Sequence, residues 1–390
     1  MTCRLLAAIC VVLFFYSCSK SKLDNPVEFI RNCDFPANDA FFLRRLADGP
    51  GDTNVWVQGK MCADKFGRLY MGYISGDGHH ARDRTAYTCY SDDNGKTWSP
   101  LKVIKPNIGG SRNYGITCQA LGVDDDRKLW AIVRNHGNNF LIGHTFHEIW
   151  SSADFGSTWE FHDRIDEITS GPDIIGGFHD MIQVGNNMIA AYHSNKGSKL
   201  GFIAIDRNDP TKRVHTDVIA DGGPHDYVEA TMCYDAVNNK IIGGLRSELT
   251  VPQLFFMNTD FSGFQKFNSA CHILRTPVPV KIMGHKIVYM GIERKLTGEV
   301  AFYVGNLDDL YRKSNNSTCK ATIGFIVNNP IPIPPNVGVP DMEVVGQKLH
   351  FGFSQQRDNG HSSVYYGNVD SLKLGIKNPL TYNMLVDMQP

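Results

Sequence analysis

The chain has 390 residues, 42% hydrophobic and 20% charged, which suits one large β domain or two ordinary ones. Lys and Arg number 39 against 40 Asp and Glu, a formal net charge of −1, so the electrostatic footprint of a nucleic-acid binder is absent. An anionic ligand has to be met by a local arginine cluster rather than by bulk charge.

The N-terminus reads as a targeting segment. Arg4 gives a positive start and Leu5 to Tyr16 is apolar, a run of about 12 residues that is too short to span a bilayer. Ser17-Cys18 followed by Ser19-Lys20-Ser21-Lys22 resembles a bacterial lipoprotein signal, although Phe15 stands where Leu is usual. Residues 1–18 are therefore expected to be a signal peptide that leaves Cys18 lipidated, and the protein to be exported to a bacterial outer membrane or cell surface. The alternative is plain secretion with an incidental Cys18. The lipid is the only membrane contact expected.

No C-x-x-C pair occurs among the ten cysteines. Cys3, Cys10 and Cys18 lie in the signal region, and the other seven are an odd number that cannot all pair within one chain. Cys62, Cys89 and Cys233 are expected to be small buried hydrophobes. Neither a metal site nor a cofactor is expected, since the spacings do not suit zinc.

Residues 19–50 are turn-rich, ending in Asp48-Gly49-Pro50-Gly51-Asp52, and read as a tether and lead-in strand. From there to residue 390, short β-branched and aromatic runs alternate with Gly, Asn and Asp turns. Six runs recur at equivalent places: Arg68–Tyr73, Leu129–Val133, Met188–His193, Lys240–Leu245, Lys286–Ile292 and Lys348–Phe353. A polar or Gly-containing turn precedes each. Between them, Ser91-Asp92-Asp93-Asn94-Gly95-Lys96-Thr97-Trp98 returns as Ser152-Ala153-Asp154-Phe155-Gly156-Ser157-Thr158-Trp159. Both read S-x-D-x-G-x-T-W, with a weaker echo at Asn258–Gly263. Asp and Ser oxygens can accept backbone N–H groups in a tight turn, Gly supplies a left-handed position, and the Trp packs beneath. Six units over the mature chain predict an all-β fold, a six-bladed β-propeller over residues 51–390. A five- or seven-bladed propeller with irregular blades is the alternative.

Propellers bind ligands at one end of the central channel, so the polar residues that follow each run are the first candidates. These are Asp77, His79 and Arg84 after the first run and Arg134-Asn135-His136 after the second. Tyr192 and His193 close the third. Arg246-Ser247-Glu248 follow the fourth, Glu293-Arg294 the fifth and Gln355-Gln356-Arg357-Asp358 the sixth. His, Arg and acids thus converge from every blade.

The repeated octapeptide is the pattern called an Asp box, found in propellers of the sialidase superfamily. From about Asn54 to Val369 the chain resembles the catalytic propeller of phage endosialidases, which cut polysialic acid internally. In that family a glutamate on an inner strand is followed one hairpin later by an arginine, and a second arginine ends the next unit in a Gly-x-Glu-Arg context. Glu229, Arg246 and Arg294 (in Gly291-Ile292-Glu293-Arg294) match them in order. Gly76–His79, Gly143–His147, His179, Tyr192-His193 and Val337–Val339 also have counterparts. The resemblance implies a glycoside hydrolase of the sialidase or endosialidase type, acting on sialic acid-containing or related acidic glycans. Arg246 and Arg294 would hold a carboxylate. Glu229 would stabilise oxocarbenium-like charge or activate the nucleophile, and Asp77 or His79 would protonate the leaving oxygen. Arg84, Tyr114, His147, His179, Tyr192, His193 and Arg357 are the expected substrate-binding set. No partner protein is expected.

Two departures from exo-acting sialidases are shared with endosialidases. No third arginine stands in an F-R-I-P-like strand, and the late strand Val337–Val344 holds no Tyr nucleophile. The rival readings are an acidic-glycan-binding propeller without turnover and a propeller polysaccharide lyase, which would use His, Tyr and Arg.

Overall fold

The computed structural model describes residues 31–32, 41–48, 54–76, 84–107, 115–136, 145–165, 175–194, 199–219, 228–247, 251–271, 277–292, 300–323, 340–356 and 362–374. Their strands form six sheets arranged as the blades of a propeller. Two N-terminal strands, β1 (Arg31–Asn32) and β2 (Phe41–Asp48), join blades built much later in the chain. Blade 1 comprises β3 (Asn54–Ala63), β4 (Leu69–Gly76), β5 (Thr85–Ser91) and β6 (Lys102–Lys105). Blade 2 comprises β7 (Gly115–Val123), β8 (Leu129–His136), β9 (Thr145–Ser152) and β10 (Glu160–Ile165). Blade 3 holds β11 (Ile175–Val184), β12 (Asn187–Ser194), β13 (Leu200–Asp206) and β14 (Arg213–Ile219). Blade 4 holds β15 (Val228–Asp235), β16 (Lys240–Arg246), β17 (Gln253–Asn258) and β18 (Gln265–Asn268). Blade 5 holds β19 (Val280–Met283), β20 (Lys286–Ile292), β21 (Val300–Asn306) and β22 (Cys319–Ile323), with β1 added in parallel to β22. Blade 6 holds β23 (Asp341–Val345), β24 (Lys348–Gln356) and β25 (Ser362–Asp370), and its outer strand is β2. The segment read as a lead-in thus supplies the strand that closes the ring, so the propeller begins upstream of residue 51.

Each of the six apolar runs is the second strand of its blade. These strands read as continuous apolar runs because a neighbouring blade covers each face; the inner residues of β16 are buried without alternation. Outer strands such as β10 are largely exposed. The hairpin before each second strand contains one left-handed residue: Gly67, Arg127, Gly185, Asn239, Gly284 and Gly346.

The core is a series of inter-blade layers. Tyr70 and Ile74 of blade 1 pack with Leu121 and Val133 of blade 2, Trp130 of blade 2 with Phe178 of blade 3, and Phe202 of blade 3 with Phe255 of blade 4. Phe302 packs on Phe351 between blades 5 and 6, and Met61 with Tyr366 between blades 1 and 6. Each such fully buried side chain contributes about 1.5–3 kcal/mol. Polar staples register the blades. Asp180 Oδ2 accepts the N–H of Met232 at 2.6 Å, joining blades 3 and 4. Asp341 Oδ2 accepts that of Met61 at 2.6 Å, joining blades 6 and 1.

The two S-x-D-x-G-x-T-W segments, and the weaker echo, link the third and fourth strands of their blades. Ser91 Oγ accepts the Gly95 N–H at 2.8 Å, and Asp93 accepts the N–H and hydroxyl of Thr97 at 2.8 and 2.6 Å. The Trp98 indole donates to the Gly95 carbonyl at 3.2 Å. Ser152, Asp154, Gly156, Thr158 and Trp159 repeat this pattern. Both indoles are half-buried rather than sealed beneath the turn.

Cys62, Cys89 and Cys233 are buried and free, as are Cys118 and Cys271. Cys319 is disulfide-bonded, with its partner outside the described residues.

Candidate functional site

Several inner strands carry a bulge near the same end of the ring. Register slips fall between Cys118 and Ala120, Phe178 and Asp180, and Val228 and Ala230. The extra residues are Gln119, His179 and Glu229. A bulge re-aims its side chain out of the pleat, and Glu229 also takes a left-handed backbone, φ 55°. That conformation is costly for a residue with a Cβ and marks a position the surrounding structure enforces.

Arg246, the last residue of β16, donates through Nη1 to Glu229 Oε2. The two side chains are 13% and 18% exposed, so the pair is largely withdrawn from solvent yet reachable. Burial alone would push the Glu229 carboxyl up, but the charge and hydrogen bond of Arg246, with His193 and Lys60, hold it below the usual carboxylate range. Glu229 is therefore an anion at neutral pH.

Beside it, His179 Nε2 and His193 Nδ1 lie 2.8 Å apart, with ring planes 23° apart. Burial lowers both imidazoles. His193 falls to about 4, opposed by Glu229 and reinforced by Arg134 and Arg246. His179 lies well below the ordinary value, with His193, Lys60, Arg246 and Arg134 all acting in the same direction. Lys60 Nζ donates to the His179 carbonyl, fixing the bulge that carries this imidazole. A Cβ on Gly177 would lie 2.6 Å from Gln119 Oε1 and 3.3 Å from His193 Cε1, so glycine there makes room for both. Arg134, on β8, has a buried Nε with no hydrogen-bond partner, and burial lowers its pKa to about 10.

Of the residues expected from the sequence, Glu229, Arg246, His179 and His193 come together. Tyr192 is turned the other way, as strand alternation requires of the neighbour of His193. It packs on Phe178 and its hydroxyl donates to Asp217 at 2.7 Å, a structural position rather than a substrate-binding one. His147 is buried edge-on against Phe178, across the ladder from Arg134. Arg84 is buried just before β5, and its carbonyl accepts the Ile116 N–H at 2.9 Å. Asp77, His79, Tyr114, Arg294 and Arg357 lie outside the described residues. Sequence reasoning left Lys60 and Gln119 out of the site and, although it named Arg134 among the residues after the second run, gave it no role. Arg134 directly follows the second run and was accessible by the rule that found Arg246. Lys60 and Gln119 sit on inner strands, where nothing in the sequence announces a bulge.

A cleft of about 880 Å³ lies at the opposite, turn-bearing ends of blades 3 and 4, lined by Asn186, Lys212, Tyr234 and Asp260 among others. None of the expected site residues borders it. Among the described residues, no group of three His, Cys, Asp or Glu side chains is placed to hold a metal ion.

No protein-family model matches the sequence, and no curated protein sequence matches it. Solved structures do match the fold. The phage phi92 endosialidase aligns with a TM-score of 0.70 at 14% identity, covering 85% of this chain and 69% of that one. The intramolecular trans-sialidase from Ruminococcus gnavus aligns with a TM-score of 0.62 at 10% identity, covering 87% and 99%. A Trypanosoma rangeli sialidase aligns with a TM-score of 0.61 at 9% identity, and there the chain spans only 59% of the other's length. A Dyadobacter fermentans protein of unknown function aligns with a TM-score of 0.62 at 12% identity. The chain is a six-bladed β-propeller with the fold of sialidases and of an endosialidase.

Proposed function

We propose that this chain is a glycoside hydrolase that cleaves sialic acid-containing or related acidic glycans at the Glu229–Arg246 end of the propeller. The observation that carries the reading is the partly exposed ion pair on a left-handed bulge, ringed by Arg134, Lys60 and two neutral imidazoles. A substrate carboxylate would be drawn to Arg246 and to the unpartnered Nε of Arg134, with Arg294 as a further guanidinium expected from the sequence. Glu229, held ionised, would stabilise the positive charge that develops at the anomeric carbon. With Oε2 engaged by the Arg246 guanidinium, this role fits Glu229 better than proton abstraction does.

Incubation with a panel of acidic glycans, read by mass spectrometry and ultraviolet absorbance, tests the reading. Hydrolysis adds one water across the cleaved bond without a new chromophore. An unsaturated, ultraviolet-absorbing product would instead identify a lyase, and retained glycan without product a binding module.

The protein would act outside the cytoplasm. The Cys319 disulfide supports an oxidising compartment, and Ser17-Cys18 with its polar tether supports a lipid anchor. Cys18→Ala should release the protein from membranes; a wild type that is already soluble and begins elsewhere would refute the anchor.

A further inference from the structure

The hydrolase reading leaves open which group takes the proton of the attacking water, since Glu229 is committed to Arg246. The 2.8 Å contact between His179 Nε2 and His193 Nδ1 holds a single hydrogen, so the neutral pair has two arrangements. In one, His179 donates and His193 keeps its hydrogen on Nε2. In the other, His193 donates through Nδ1 and its Nε2 carries a lone pair, the form of a base.

The charged groups around the pair decide where a second proton can settle. Glu229 on β15 acts on His193, favouring its cation, while Arg246 on β16 and Arg134 on β8 oppose it. His179 on β11 faces the same two guanidiniums and the Lys60 ammonium on β3, with no carboxylate among its main influences. Lys60 also grips the His179 backbone carbonyl. A positive charge is thus better held on His193 than passed to His179.

We propose that His193 is the proton acceptor that activates the attacking water, that His179 holds it in the Nδ1–H tautomer, and that Glu229 stabilises the imidazolium that results. The proposal rests on the hydrolase reading. The water O–H bond breaks and its proton moves to His193 Nε2 as the oxygen bonds to the anomeric carbon. The glycosidic C–O bond breaks with its electron pair on the leaving oxygen, which is protonated by an acid group or by solvent. His193 then returns its proton to solvent. His179 acts through His193 and is a positioning residue.

The test uses the full chain with polysialic acid and an aryl sialoside. His193→Ala should lower turnover about 10²-fold or more with little change in KM, and should remove the His193 ionisation near pH 4 from the acid limb, leaving only that of Glu229. Azide needs no deprotonation, so it should restore turnover of the aryl sialoside and yield a glycosyl azide. His179→Gln, which keeps an acceptor for the Nδ1–H group, should retain more activity than His179→Ala. Nitrogen-15 NMR of labelled histidines should show His193 protonated at Nδ1 and bare at Nε2, without any substrate. Full turnover in His193→Ala, a folded His193→Ala that azide does not rescue, or an Nε2–H tautomer would each overturn the proposal while the hydrolase reading stands. A wild type that cleaves no acidic glycan would overturn that reading and this one together.

Discussion

Arg246 is the main influence that holds the Glu229 carboxyl low. Without the guanidinium, burial is the dominant influence left on the carboxyl, and burial raises it. Arg246→Ala should therefore weaken binding of an acidic substrate by about 1.5–3 kcal/mol if one charge-assisted bond is lost. It should also move the acid limb of the pH–rate profile upward, because Glu229 would ionise only at higher pH. A profile with an unmoved limb would show that Glu229 does not need Arg246 to ionise. The residue types of this pair were legible in the sequence: the strand glutamate and the arginine one hairpin later match a family pattern, and their chemistry suits a carboxylate. Their setting was not. A left-handed φ at Glu229 and a bulge at His179 are decided by how inner strands converge on the axis, a tertiary effect that leaves no local periodicity. Tyr192 shows the converse. It adjoins His193 in sequence, yet strand alternation sends its ring into the layer between blades.

At the scale of the element, the third turns of blades 1 and 2 look alike in sequence and differ in what they touch. A Cβ on Gly95 would lie 2.0 Å from the Tyr366 ring and hydroxyl, whereas one on Gly156 would meet a Thr88 methyl at 2.7 Å. Both glycines are left-handed, with φ 78° and 85°, so alanine is strained at either. Gly95→Ala should cost clearly more, since an aromatic ring held at both ends cannot step aside as a methyl can; comparing denaturant midpoints of the two variants checks the order. Trp98→Ala and Trp159→Ala should each destabilise by about 2–3 kcal/mol, below the range for a fully buried Trp because the indoles are half-buried. Catalysis should survive in the folded fraction, and a folded variant with no turnover would misplace the active end. The turn chemistry was readable because each side-chain oxygen bonds within four residues. The seating of the turn on a neighbouring blade was not, since Tyr366 is 272 residues from Asn94.

For the whole molecule, that contact belongs to ring closure. The Tyr366 hydroxyl donates to the Asn94 carbonyl at 2.9 Å. His350 Nδ1 lies 2.6 Å from the same oxygen, so this nitrogen carries the hydrogen. Its Nε2 is buried without a partner, and burial, with Lys348, lowers the imidazole to about 3 from an ordinary 6.5. The folded value lies below the unfolded one, so the unfolded chain binds the proton first. Stability conferred by the neutral ring is complete above pH 6.5 and is lost as pH falls toward 3. His350→Gln should flatten part of that slope in unfolding measurements between pH 7 and 4, and an unchanged slope would acquit His350. Six second strands and their turns foretold the blade count. That β2 closes blade 6 was not foretold, because an edge strand supplied from the other end of the chain carries no signal of its partner.

The claim that joins these scales is that an ionised Glu229 at the mouth of this propeller serves hydrolysis of an acidic glycan. Proton NMR of polysialic acid during cleavage by wild type and Glu229→Gln tests it most directly. If water attacks directly, as proposed, the first product should appear with inverted anomeric configuration. Glu229→Gln, which keeps the shape and removes the charge, should turn over about 10²-fold more slowly or worse. A retained configuration would contradict direct attack by water, and full turnover in Glu229→Gln, or no product from wild type, would contradict the central claim.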